Sequence, residues 1–142
     1  MSFRPRMPLG EKAWEEKGAA IGASVKSVDA NGITFEYTVA TEVKGFGRHA
    51  SGRNVGTISI VQGPVTNMAK GQGVYTTSDG ELLPWHFLGI GKIVGNRGKG
   101  VGLVVFSTLS QKYAWTNDNL YFMEYNNAMD LSEISDTGYE WK

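Results

Sequence analysis

The stretch GQGVYTTSDGELLPWHFLGIGKIVG, from Gly71 to Gly95, decides the fold. Two runs of alternating apolar and polar residues flank the dipeptide Asp79-Gly80, which is the signature of a β-hairpin. Alternation puts Leu83, Trp85, Phe87, Gly89, Gly91 and Ile93 on one face of the returning strand. Leu82, Pro84, His86, Leu88 and Ile90 take the other. A type I′ turn is expected, with positive φ at Asp79 and Gly80. Trp85 is then a wall of any interior the sheet encloses, and its indole N–H needs a partner there.

Outward from this hairpin the chain keeps the same grammar. KAWEEKGAAIGASVKSV reads as a long strand, because Gly18 and Gly22 weaken a helix and ASVKSV alternates. DANG carries the Asn-Gly turn signal, and ITFEYTVATEV returns as a strand. KGFGRHASGRN is a loop, VGTISIV a strand and QGPVTNMAK a connection. Past GNRGKG, VGLVVFSTL reads as a buried strand from its continuous apolar run. SQKYAWTND is a loop, NLYFMEYNN a strand, and AMDLSEISDTG a connection into a last short strand, YEWK.

About eight strands joined by short turns, with no convincing helix, predict a single closed antiparallel barrel, since closure removes exposed edges. Residues 1–10 read as an arm and 11–142 as the barrel domain. Glycine, 19 of 142 residues, is about twice as frequent as the usual ~7%. Interleaved with Val, Ile, Phe, Trp and Tyr, it points to bent strands and turns.

Composition excludes several chemistries. Without cysteine there is no disulfide, thiolate nucleophile or Cys-based metal site. The two histidines, His49 and His86, form no ligand pair, so no metal or cofactor is expected. GFGRHA, Gly45–Ala50, has the outline of a dinucleotide fingerprint, but SGRNVG after it cannot start the helix that would hold a pyrophosphate. A formal net charge of zero argues against nucleic acid. No apolar run is long enough for a membrane helix and no secretory leader is read, so a cytoplasmic location is expected.

A carboxylate inside an apolar barrel has a raised pKa and can act as a general acid or base. Glu124, in YFMEYNN, is the candidate. It shares a face with Leu120, Phe122 and Asn126, while Tyr121, Met123 and Tyr125 take the other; if its own face is outside, it is an ordinary solvated charge.

The run GQGVYTTSDGE, then Trp85, Gly89, Gly91, Asn117, Glu124, Tyr125 and the terminal Glu140-Trp141-Lys142, resembles a family of small microbial proteins with the allene oxide cyclase-like β-barrel fold. The resemblance covers about Gly10 to the end. It implies an eight-stranded antiparallel barrel, often assembled into oligomers. The plant cyclases of this fold bind an apolar epoxide and guide its ring closure mainly by shape.

Two functions are therefore expected to compete. The first is a barrel that binds a small apolar ligand, with isomerase or cyclase chemistry open to it. Trp85, Tyr75 and Tyr125 would line the pocket, Gln72 and Asn117 would supply hydrogen bonds, and Glu124 would be the acid or base. The second is a packed, non-catalytic barrel acting through homo-oligomerisation, with the arm, Tyr139 and Trp141 as interface elements.

Overall fold

The computed structural model describes residues 9–142. Its strands are β1 (Leu9–Asp29), β2 (Gly32–Gly45), β3 (Gly52–Gln62), β4 (Thr66–Thr77), β5 (Leu82–Val94), β6 (Arg97–Phe106), β7 (Leu120–Ala128) and β8 (Ile134–Trp141). Each pairs with the next, and β8 pairs with β1, so the sheet closes. The closed antiparallel barrel expected from alternation is the fold. Its helical content among the described residues is one 3₁₀ turn, Ala114–Asp118. Among them no helix is long and apolar enough to cross a membrane. Most of the expected arm lies outside the described residues, and Leu9 and Gly10 already belong to β1.

Glycine spacing shapes the interior. Trp85 on β5 pairs with Gly73 on β4, which pairs with Gly56 on β3. The indole lies across both: a Cβ at Gly73 or Gly56 would stand 2.4 or 2.5 Å from its Cζ2. Tyr125 lies over Gly100, Phe87 over Gly89 and Gly102, and Trp14 over Gly138, each within 2.4 Å of where a Cβ would be. Rings laid flat along the wall leave the centre open, where upright rings would fill a barrel of this strand number. A cavity of about 370 Å³ results. At one end the β7–β8 loop folds in Leu131, buried against Tyr37, Val39 and Ile134. Leu131 has φ +57°, a conformation that costs a side-chain-bearing residue about 1–2 kcal/mol.

Several local readings change. The first hairpin turns on Ala30 and Asn31, with Asn31 N–H bonded to the Asp29 carboxylate, and Gly32 opens β2. The Asp79-Gly80 turn is not type I′, because only Gly80 has positive φ, +90°. Asp79 is instead held by Thr77, Tyr113 and Lys112. The expected connection at QGPVTNMAK shrinks to residues 63–65, because β4 begins at Thr66. β6 is not buried on both faces: Val104 is buried while Val101, Leu103 and Val105 face outward. The expected connection before YEWK is partly strand, since β8 starts at Ile134.

Candidate functional site

Alternation along β1 sends Trp14 and Glu16 inward. Glu15 and Lys17 are held outside, where Glu15 takes an ion pair from Lys12. In the closing ladder, Trp14 pairs with Gly138 and Glu16 with Asp136. Directly opposed residues on one face have Cβ atoms about 4.5–5.5 Å apart, so the barrel seam carries two carboxyl groups side by side. Both line the cavity; Asp136 is buried, and the half-buried Glu16 turns its accessible part to the cavity.

The pair is tied into a short network. Trp14 Nε1 donates to Asp136 Oδ1 at 2.9 Å. Asn54, on β3, donates through Nδ2 to Glu16 Oε1 at 3.5 Å and accepts the Trp85 indole N–H at 2.6 Å through Oδ1. Thr41, opposite Asn54 on β2, is buried, and its hydroxyl makes no hydrogen bond of normal geometry. Among the described residues no ion pair involves either carboxyl. Burial raises the Glu16 pKa, partly offset by Thr41 and Asn54. Burial, then the neighbouring Glu16 charge, raises Asp136 well above the ordinary range, against the Trp14 N–H. Like charges this close in a low dielectric cannot both ionise cheaply, so each carboxyl makes ionisation of the other more costly.

The rest of the wall is apolar and aromatic: Phe87, Val104, Phe106, Met123 and Tyr125, with Tyr125 directly opposite Asp136 in the β7–β8 ladder. The end of the barrel opposite Leu131 is capped by the β2–β3 loop. Arg48 there lies over the Trp115 ring at 3.9 Å and donates to Glu140 at 2.8 Å. His49 Nδ1 donates to the Phe46 carbonyl, which leaves Nε2 to accept from the Tyr121 hydroxyl at 3.2 Å. Burial lowers the His49 pKa and pushes Tyr121 up to about 12, so at neutral pH Arg48 and, at 3.9 Å, Lys142 are the charged partners of Glu140.

The structure sorts the residues expected at the site. Trp85, Tyr75 and Tyr125 all line the cavity, and Tyr75 donates its hydroxyl hydrogen to the Ala50 carbonyl. Glu124 is corrected to the outer face of β7, where its cross-strand neighbours are Val101 and Thr137; the inward face is that of Tyr121, Met123 and Tyr125. Gln72 is likewise on the outer face, beside His86. Asn117 is exposed and spends its amide on the backbone of Thr108, accepting at 2.8 Å and donating at 2.9 Å. Glu16, Asp136 and Asn54 were missed. The available signal was the i, i+2 spacing of Trp14 and Glu16.

No protein-family model matches the chain, and no curated protein sequence does. Solved structures do. A protein of unknown function from Clostridium acetobutylicum matches with a TM-score of 0.82 and 14% identity, over 99% of this chain and 100% of that one. A β-barrel-like protein from Acinetobacter baumannii matches at 0.80 and 14%, over 100% of both chains. An enzyme from Penicillium herquei matches at 0.67 and 20%, over 99% of this chain and 100% of that one. At such identities the likeness shows the fold alone, a closed β-barrel.

Proposed function

We propose that the barrel binds a small apolar molecule and rearranges it, by isomerisation or ring closure, through general acid–base catalysis at Glu16 and Asp136. The observation that carries this reading is two uncompensated carboxyl groups facing one apolar cavity of about 370 Å³, within the size range of ligand sites. Asp136, buried beside the Glu16 charge, is assigned the acid role; Glu16, held by Asn54, is assigned the base role. Asp136 gives its proton to an acceptor atom of the ligand and Glu16 takes one from a neighbouring atom. Proton transfer within the pair then restores the start, so no co-reactant is consumed. The resemblance to allene oxide cyclase-like barrels supports ring closure of an apolar ligand, and an enzyme from Penicillium herquei shares the fold.

Native against denaturing mass spectrometry tests the binding step. Extra mass lost on denaturation supports it; bare protein that also fails to take up Nile red opposes it. For the chemistry, the released molecule is returned to the protein in heavy water. Deuterium uptake with wild type, lost in Asp136→Asn, is expected; equal uptake in both sinks the acid–base assignment.

A second reading, self-assembly, is favoured by the outer face of β4–β6. Met68 pairs with Ile90 and Ile90 with Val101, while Leu88 pairs with Leu103, all exposed. A second copy of the chain is the occupant this face suits, since a formal net charge of zero removes long-range repulsion between copies. The native mass of the purified chain decides it.

A further inference from the structure

Trp85 differs from the other flat rings of the wall. Trp14 meets Phe106 and Tyr121, and Phe87 meets Tyr125. Trp85 has no ring partner among the described residues. Its lower face is seated on the backbone of Gly56 and Gly73, with Gly71 also alongside. Its edge is pinned by the Asn54 bond, so the indole cannot tip upright. Trp85 also lines the cavity, so the side of the indole turned away from these glycines faces the lumen. The same Asn54 joins this platform to Glu16, so a molecule lying on the indole presents its edge to the acid pair.

We infer that the ligand is a flat, conjugated or aromatic molecule that stacks on Trp85, and that Gly56 and Gly73 set this preference by keeping the platform low. This inference rests on the binding function proposed above. Offset stacking needs a planar partner at van der Waals distance along its whole face, which a puckered ring system cannot supply. A Cβ at either glycine would lift the indole into the lumen and close the slot. A polar group on the rim of the molecule would then meet Asp136 and Glu16, where proton transfer is available.

The test uses two probes with one carbon skeleton, flat 2-naphthol and puckered trans-decahydro-2-naphthol, titrated calorimetrically into the purified protein. Wild type is expected to bind the flat probe about three- to tenfold more tightly. In Trp85→Leu the two affinities are expected to fall within about twofold of each other, with decahydronaphthol binding retained. Trp85→Phe, which keeps a smaller flat ring, is expected to lie between and serves if the Leu variant does not fold. Equal binding of both probes by wild type, or tighter binding of the puckered one, overturns the inference and leaves the binding reading standing. A flat preference that survives in Trp85→Leu removes Trp85 from the account. If neither probe binds wild type, the binding reading and the inference fall together.

Discussion

Glu16 and Asp136 stand opposite each other in the ladder that closes the barrel, inside an apolar lumen and with no cation beside them among the described residues. A structural role alone accounts poorly for this arrangement, because burying unpaired carboxyl groups costs stability. In the function proposed above, the fold gives up stability at this pair for chemistry.

That cost is measurable. A carboxyl whose folded pKa is raised keeps its full stability below the ordinary value, 3.8 for Asp136, and loses it as pH rises through the folded value. Asp136→Asn removes the penalty. The variant is expected to equal wild type near pH 4 and to exceed it at pH 8 by about 1–3 kcal/mol. Guanidinium melts at the two pH values check this, and a wild type that gains on the variant between them contradicts the raised pKa.

Trp14 and Gly138 should be strongly coupled. An alanine at Gly138 would place its Cβ 2.2 Å from Trp14 Cε2. Gly138→Ala is expected to cost about 1–3 kcal/mol in wild type and much less when Trp14→Leu is already present. A double-mutant cycle reads the difference; additive costs would mean the glycine serves the backbone and not the ring.

Asp79 fastens the 3₁₀ segment to the β4–β5 turn through Lys112, Tyr113 and Thr77. The Lys112 bond is the largest cause of its lowered pKa, so this fastening is complete above 3.8, the ordinary value, and fails only as pH falls below it toward the folded value. Asp79→Asn is expected to speed amide exchange in residues 108–118 at pH 7, with the barrel strands unchanged. Unchanged exchange in that segment would show the fastening to be idle.

Leu88 lies at the centre of the apolar outer face and is 66% exposed. If copies assemble through it, Leu88→Glu is expected to lower the solution mass to that of one chain while the circular dichroism stays the same. A wild type that is already monomeric, or a variant that keeps the wild-type mass, rules that face out.

Alternation made the barrel legible and put Trp85 on the face that lines the cavity, because a half-buried strand writes its two faces into successive residues. It also divided β7 into its true faces. Which of them is interior depends on the direction in which the whole sheet curls, so alternation leaves Glu124 open between lumen and solvent, and it lies outside. Glu16 was hidden for the converse reason. It sits in EKAWEEK, where charge density reads as solvated surface. Asp136 falls in a stretch of Ser, Asp, Thr and Gly that mimics a turn, and its strand character comes from pairing with β1 and β7, far away in sequence.

Because the acid pair lies on the seam, its two halves come from opposite ends of the chain; Trp14 and Asp136 are 122 positions apart. During synthesis, β1 to β7 can emerge and meander into an open sheet before the segment carrying Asp136 leaves the ribosome. Such a nascent chain has glycine-seated rings but neither a sealed lumen nor a second carboxyl group. In the function proposed above, reactivity therefore arrives last, as a property of the finished circle. A chain that stalls before closure would be chemically silent, and proton-transfer competence would report that the final strand has docked.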